Sequence, residues 1–177
     1  MNEKGLADSF PPTIVIRHRK ENLKKCSLSG LEGRSDFLFF RYPLQKSLFC
    51  NNYVLLTLDA EEELSAAEAH YGLLILDATW RYATGMEKAL PRDASLKKRR
   101  LPQRLMTAYP RRQSDCSDPN SGLASIEAIV CAYAILGRNL DGLLDYYYWK
   151  DSFLEKNYSF LMNLSLSKKE LLREIGS

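Results

Sequence analysis

The segment LLILDATWRYATGME, residues 73–87, decides which fold the sequence predicts. It begins with four aliphatic residues that run without a break into Asp77, and Trp80 follows three residues later. Continuous apolar runs are typical of strands buried on both faces of a parallel sheet. Ligands of such sheets bind beyond the carboxyl ends of the strands, which makes Asp77 a candidate ligand contact. On position alone, capping of the next helix is an equal alternative for Asp77, and Trp80 is more typical of a core residue.

Three further apolar runs precede this segment and are predicted as strands, namely TIVIRH, DFLFFRY and YVLLTL. Between the third of them and the run at residues 72–77 lies an acidic, alanine-rich stretch, DAEEELSAAEAH, whose residues favour a helix. A strand, a helix and a strand in succession predict a parallel pair. We therefore expect a flexible tail over residues 1–12 and an α/β lobe with a parallel sheet over residues 13–95.

The second half of the chain has helical spacing instead. In SGLASIEAIVCAYAILGRN the apolar residues recur every three or four positions, Ser125 is a candidate N-cap and Gly137 a candidate C-cap. The stretches DGLLDYYYWKDSFLEKNYSFLMNL and SKKELLREI are predicted as further helices. We expect a mainly helical lobe over residues 96–177, which begins with a basic, ligand-wrapping loop over residues 96–122.

The composition and the missing motifs exclude several functions. No run approaches the roughly 18 apolar residues of a membrane span, and the N-terminus has no signal-peptide pattern, so we expect a cytoplasmic protein. The four cysteines lack CxxC spacing and have only two histidines to assist them, which predicts free thiols and no metal site. Glycine-rich dinucleotide and phosphate-loop motifs are absent, and no hydrolytic triad is readable.

Basic residues are concentrated in two segments. Eight lie between Arg92 and Arg112 against a single acid, and a second cluster occupies residues 17–25. Such runs are commonly solvated surface, but two of them in one small protein favour a phosphate-rich partner such as RNA. The aromatic stretch YYYWKDSFLEKN is compatible with stacking on bases, although sealing a small core is the commoner role.

Four segments, in order along the chain, resemble the DTW-domain proteins and the related rRNA aminocarboxypropyltransferases. LLILDATWRYA resembles their D-x-[ST]-W signature, and RRLPQRLMTAYP resembles their L-P-x-L-x-A-x-P stretch. GLASIEAIVCAYAILGR is similar to their S-x-x-E-A helix, and YYWKDSFLEKNYSFL to the closing W-x-x-x-F-x-x-x-N segment of the rRNA-modifying branch. The cysteine-containing N-terminal region of the relatives is represented only by ENLKKCSLSGLEGRSD, which cannot form a metal site by itself.

This resemblance implies a SPOUT-like α/β fold with a trefoil knot and S-adenosylmethionine (SAM) as the cofactor. It implies transfer of the 3-amino-3-carboxypropyl group to N3 of a uridine or pseudouridine. The implied partner is RNA, with ribosomal RNA favoured and transfer RNA as the alternative, and no membrane. The protein is expected to act as a monomer in ribosome biogenesis. A SPOUT-type RNA methyltransferase and a non-catalytic RNA-binding protein of ribosome assembly are the alternatives.

The resemblance also suggests roles for residues. Asp77 is expected either to accept the N3 proton or to hold the amino group of SAM. The SAM site is expected to comprise Leu76, Asp77, Thr79, Trp80, Leu101, Pro102, Ala108, Tyr109, Leu123 and Ser125. The RNA phosphates are expected to contact Arg17, Arg19, Lys97, Lys98, Arg99, Arg100, Arg111 and Arg112.

Overall fold

The computed structural model describes residues 10–23, 26–46, 48, 50–90, 96–110 and 122–165. Its five strands form one sheet in the order β2-β1-β4-β3-β5, and neighbouring strands are parallel throughout. The strands are β1 (Thr13–His18), β2 (Phe37–Tyr42), β3 (Tyr53–Leu56), β4 (Gly72–Asp77) and β5 (Lys97–Arg99). The predicted α/β class and the parallel sheet are therefore confirmed.

Three α-helices accompany the sheet in the described part of the chain: α1 (Trp80–Lys88), α2 (Ser125–Ile135) and α3 (Lys150–Lys156). Helical structure also covers residues 158–165. Gly137 was predicted to be the C-cap of α2, but that position is Leu136. Gly137 follows it with a positive φ of 69°, a conformation common just past the end of a helix. None of these helices has the length and apolar character that crossing a membrane requires. The helix predicted for SKKELLREI lies outside the described residues, as does most of the predicted tail.

The helix predicted between β3 and β4 is wrong. Only a short 3-10 turn, Ala66–Glu68, forms there, capped by the side chain of Ser65. The preceding glutamates are not helical, because the backbone of residues 62–64 pairs with Arg100 and Glu63 forms a β-bridge with it. The Arg100 N–H donates to the Glu62 carbonyl at 2.9 Å, and the Leu64 N–H donates to the Arg100 carbonyl at 2.8 Å. Long-range pairing has overridden a local helix propensity that is worth only tenths of a kcal/mol per residue, roughly.

The segment expected as a basic loop begins with a strand. Residues 97–99 form β5 beside β3, with Leu55 opposite Lys98. The lobe boundary expected between residues 95 and 96 therefore falls between two strands of the same sheet. The trefoil knot stays a prediction.

Two hydrophobic clusters lie on opposite faces of the sheet. Alternate residues of the strands divide between them: Ile14 and Leu74 pack with Met86 of α1, whereas Val15 and Leu73 pack on the other face. The second, larger cluster includes Ile126, Ile129 and Tyr133 of α2, together with Tyr147 and Phe153 near α3. One core thus joins the sheet to the helices that follow residue 122.

We expect truncation of a buried strand residue to destabilise the protein much more than truncation of a nearby exposed leucine. Leu55 in β3 is 0 % exposed and Leu58, just beyond the strand, is 48 % exposed. Leu55→Ala is expected to lower the free energy of unfolding by about 2–5 kcal/mol, and Leu58→Ala to change it by less than about 0.5 kcal/mol. Urea unfolding measures both, and equal effects would contradict the assignment of the core.

Candidate active site

Asp77, the last residue of β4, lies at the centre of a group of polar side chains. It is only 6 % exposed. Arg17 stands opposite Asp77 in the neighbouring strand, so both side chains point to the same face of the sheet. The Arg17 Nε donates to Asp77 Oδ2 at 2.9 Å, and the Ser125 hydroxyl donates to Asp77 Oδ1 at 2.7 Å. Asp77 therefore links β1, β4 and the first residue of α2.

Asp77 is not the cap of the following helix. The N-cap position of α1 is Thr79, whose side chain makes no capping hydrogen bond. Ser125 was predicted to be the N-cap of α2, but that position is Ala124, and Ser125 is the first helical residue. Since the Ser125 hydroxyl bonds to a neighbouring element, it is not used to cap its own helix.

Arg17 and Cys26 complete the surroundings of Asp77. The Cys26 thiol lies 3.6 Å from Asp77 Oδ2, and the Arg17 guanidinium also contacts Cys26 Sγ at 3.2 Å and Glu32 Oε1 at 3.1 Å. Burial and the negative charge of Asp77 raise the pKa of Cys26 to about 11. Burial alone would lower the pKa of Arg17, but its hydrogen bond to Asp77 and nearby negative charge raise it. Arg17, expected to hold an RNA phosphate, is thus already paired, with 13 % of its side chain exposed.

A second buried carboxylate, Glu127 in the first turn of α2, fixes the segment of residues 101–110. It is 0 % exposed. Its Oε1 accepts from the Ala108 N–H at 2.8 Å and the Tyr147 hydroxyl at 2.9 Å. Its Oε2 accepts from the Thr107 hydroxyl at 2.7 Å and the Ala124 N–H at 2.8 Å. Four donors satisfy the charge, so the first turn of α2 holds Asp77 through one residue and the 101–110 segment through another.

Asn157 fixes the same segment at the neighbouring residue, Met106. Its side-chain amide makes both hydrogen bonds of a peptide unit with Met106: the Met106 N–H donates to Oδ1 at 2.9 Å, and Nδ2 donates to the Met106 carbonyl at 2.8 Å. The Lys156 ammonium donates to the Thr107 carbonyl at 3.0 Å. Trp149 packs edge-on against Tyr109, with 5.3 Å between ring centroids. Three consecutive residues, 106–108, are therefore held in place by side chains from the helical part of the chain.

The structure brings most of the expected SAM-site residues to one side of the sheet. The larger core cluster has half-buried neighbours at four of these positions: Leu101, Ala108, Tyr109 and Leu123. Leu76 is different, because it packs with the α1 cluster on the opposite face. Pro102 is half-buried and Thr79 is exposed. Trp80 begins α1, but its side chain lies outside what the structure describes.

The basic residues of β5, and Arg100 just beyond it, pair with carboxylates or lie over an aromatic ring. Lys97 lies over the Tyr71 ring at 4.3 Å. Lys98 pairs with Glu87 at 2.5 Å, Arg99 with Glu62 at 2.8 Å and Glu68 at 3.1 Å, and Arg100 with Glu63 at 3.2 Å. Burial alone would raise the pKa of Glu68, but hydrogen bonds from Ser65 and Arg99 outweigh it and lower the pKa. This strand is an ion-paired structural element, and Arg111 and Arg112 lie outside the described residues.

Other cations stand at the carboxyl edge of the sheet without an ion pair to any described residue. Arg19 and Lys20 follow β1, Arg41 lies near the end of β2 and Arg81 lies in the first turn of α1, and all four are exposed. The Lys20 ammonium lies 3.3 Å from the Tyr82 hydroxyl. Of these four, only Arg19 was expected as an RNA contact from the sequence. Within the described residues, no three His, Cys, Asp or Glu side chains come together to hold a metal ion.

Several contacts of the site were not predicted from the sequence. Glu127 was included as the acidic residue of the segment similar to the S-x-x-E-A helix, yet a single charge inside the apolar run ASIEAIVCAYAIL signals a buried group that needs partners. The pairing of Arg17 with Asp77 had no local signal, because it depends on the register of β1 and β4.

Comparison with known proteins supports the fold. The sequence matches no protein-family model and no curated protein. The structure is similar to that of the SAM-dependent rRNA:acp-transferase Tsr3 from Vulcanisaeta distributa, where acp is aminocarboxypropyl. The TM-score is 0.66 at 20 % sequence identity, and the similarity covers 88 % of this chain and 84 % of that chain. The chain therefore has the fold of Tsr3.

Removing the charge of Asp77 is expected to make Cys26 more reactive. Asp77→Asn removes a neighbouring negative charge, so the pKa of Cys26 falls and its thiolate fraction rises. Iodoacetamide alkylation near neutral pH, followed for each cysteine by peptide mass spectrometry, measures the rate. Cys131 in the core, whose pKa burial raises to about 12, is the internal control for general opening of the fold. An unchanged Cys26 rate would contradict the described contact.

Proposed function

We propose that this protein is a SAM-dependent RNA aminocarboxypropyltransferase that modifies N3 of a uridine or pseudouridine, in ribosomal rather than transfer RNA. One observation carries the proposal. The first turn of α2 holds Asp77 at the carboxyl end of β4 through Ser125, and the 101–110 segment through Glu127. This places three of the four segments that resemble the aminocarboxypropyltransferases at one site, where parallel sheets bind ligands. The similarity to Tsr3 supports it, and the SPOUT-like trefoil knot belongs to the same proposal.

The residues at this site fit SAM. Bound SAM supplies a sulfonium-activated carbon for transfer. The half-buried apolar side chains of Leu101, Ala108 and Leu123 suit the adenosine, and the backbone near Ser125 suits the carboxylate of the amino-acid part. Asp77 suits the ammonium group, because an ionised carboxylate oxygen accepts about two hydrogen bonds and Oδ1 receives one from the described residues.

The geometry favours Asp77 as the anchor of the amino group over Asp77 as the base. Both of its oxygens already accept hydrogen bonds within the protein. Taking up a proton would weaken its ion pair with Arg17, whose guanidinium is mostly buried. We therefore assign Asp77 to holding SAM.

We propose that RNA binds at the carboxyl edge of the sheet and not at β5. RNA phosphates require cations that are not already neutralised, and the four exposed cations at the carboxyl edge meet this requirement: Arg19, Lys20, Arg41 and Arg81. They surround the same edge as Asp77. Arg99 and Arg100 instead keep residues 62–68 against the sheet.

The group that is transferred distinguishes the candidate functions. With total RNA and SAM labelled in the carboxypropyl part, we expect label in RNA and release of methylthioadenosine. Methyl label in RNA with release of S-adenosylhomocysteine would instead identify a methyltransferase. RNA binding without any heat of SAM binding in calorimetry would identify a non-catalytic RNA-binding protein.

The Asp77→Asn variant is expected to bind SAM about 10- to 100-fold more weakly, because a hydrogen bond to a charged group contributes roughly 1.5–3 kcal/mol. Asp36→Asn is the matched control, since Asp36 pairs with Arg34 before β2, at the other end of the sheet. Calorimetry measures both affinities, and thermal unfolding shows whether each variant is folded. Equal SAM affinities for Asp77→Asn and the wild type would remove Asp77 from the site.

Charge removal at the two basic surfaces is expected to have different effects. The double variant Arg19→Gln and Arg81→Gln should bind RNA more weakly, and the salt slope should fall by about 0.7 for each phosphate of single-stranded RNA that the variant no longer neutralises. Arg99→Gln should lower the unfolding temperature, because it removes the positive charge that pairs with the buried Glu68. Fluorescence anisotropy at several salt concentrations and thermal unfolding measure these outcomes. If Arg99→Gln weakened RNA binding and the Arg19 and Arg81 double variant did not, the RNA-binding surface would lie at β5.

A further inference from the structure

Glu21 places a carboxylate at the carboxyl edge of the sheet, beside the site described above. The Glu21 N–H donates to the His18 carbonyl at 3.0 Å, which turns the chain at the end of β1. Its Oε1 accepts from the Thr79 N–H at 3.0 Å. Thr79 lies two residues beyond Asp77, at the junction of β4 and α1. The Glu21 side chain therefore reaches from one strand end to the next, along the edge where the four exposed cations stand.

Three carboxylates lie near Arg17, and they differ in how many of their oxygens accept hydrogen bonds. Asp77 accepts at both oxygens. Glu32 also accepts at both, from Arg17 at Oε1 and from the Gly30 N–H at Oε2. Glu21 uses Oε1 only, and its Oε2 has no hydrogen-bond donor among the described residues. Glu21 is thus the carboxylate of this group that has one oxygen accepting no hydrogen bond from the described residues.

The surroundings of Glu21 also favour proton uptake. Burial and the negative charge of Asp77 raise its pKa, and the Thr79 N–H and the charge of Arg17 oppose this rise without cancelling it. Its own segment also carries the exposed Arg19 and Lys20 and the buried His18, whose pKa is lowered by burial and by these two cations. The exposed Arg81 lies in the first turn of α1. A base whose pKa is raised toward the working pH accepts a proton more readily than an ordinary glutamate.

We propose that Glu21 is the general base of the transfer reaction and takes the N3 proton of the target uridine at Oε2. This assignment rests on the proposed function. As the bond between N3 and the carboxypropyl carbon forms, the carbon–sulfur bond breaks with its electron pair going to sulfur, and the proton leaves N3 for Glu21. The exposed cations beside Glu21 hold the phosphates that flank the nucleotide. Asp77 and Glu21 then have separate tasks, one toward SAM and one toward the RNA.

The competing explanation is that Glu21 only fixes the start of α1 through Thr79. Glu21→Gln separates the two roles, because the amide oxygen still accepts the Thr79 N–H but does not take up a proton at neutral pH. We expect its turnover to fall about 100-fold, within the range usual for a general base. The SAM affinity and the unfolding temperature are expected to match the wild type. Glu32→Gln, at the neighbouring carboxylate of the same group, is the control and should retain its turnover.

The pH dependence gives a readout that a structural role would not move. Turnover of the wild type should rise with pH as Glu21 loses its proton and then level off. The Glu21→Gln variant should lack this step and rise with hydroxide concentration instead. A parallel loss of turnover and unfolding temperature, with an unchanged pH profile, would overturn the proposal in favour of the structural role.

A measurement without SAM or RNA tests the carboxyl group directly. With glutamate labelled by ¹³C at the carboxyl carbon, the NMR signal that disappears in Glu21→Gln identifies Glu21. We expect this signal to titrate above the usual glutamate range, and a normal titration would count against the assignment. If the wild type transfers carboxypropyl label and Glu21→Gln does so at the same rate, the base assignment alone fails. If the wild type transfers none, the proposed function fails with it.

Discussion

The ion pair between Asp77 and Arg17 is the interaction on which the arrangement of the site depends. A carboxylate that is almost fully buried at the end of an apolar strand is tolerated only with a partner charge and hydrogen bonds. Arg17 supplies the charge from the adjacent strand, and Ser125 supplies a hydroxyl from the helix that follows a long connection. The need to satisfy one carboxylate thus joins residues that are 60 and 48 positions apart in the chain.

A second buried carboxylate, Glu127, stabilises the irregular segment beside the site. Residues 101–110 have little regular structure, and a segment of this kind keeps one conformation only if its backbone groups find fixed partners. Glu127 and Asn157 provide them from two helical regions. Polar residues of the two later segments therefore hold the backbone of an earlier one.

Local sequence patterns predicted the strands correctly, but they did not predict which charged side chains pair with each other. The apolar runs predicted β1 to β4 and the parallel sheet, and the position of Asp77 at a strand end followed from the same pattern. The helix predicted over residues 59–70 does not form, because residues 62–64 pair with the backbone of Arg100. Ion pairs add to this pairing: Glu62 and Glu68 bind Arg99 of β5, and Glu63 binds Arg100. Attraction between acidic and basic segments about 35 residues apart in sequence has no local signature, because helix propensity and strand patterns describe neighbours only.

The same acidic segment has a consequence for the behaviour of the sheet in concentrated solution. An exposed sheet edge is a template on which another chain can add a strand and begin to aggregate. Here β5 has only three residues, all of them cationic, and the backbone of residues 62–64 occupies the hydrogen-bonding groups of Arg100 just beyond it. An approaching strand therefore meets a short, charged and partly covered edge, which hinders edge-to-edge aggregation.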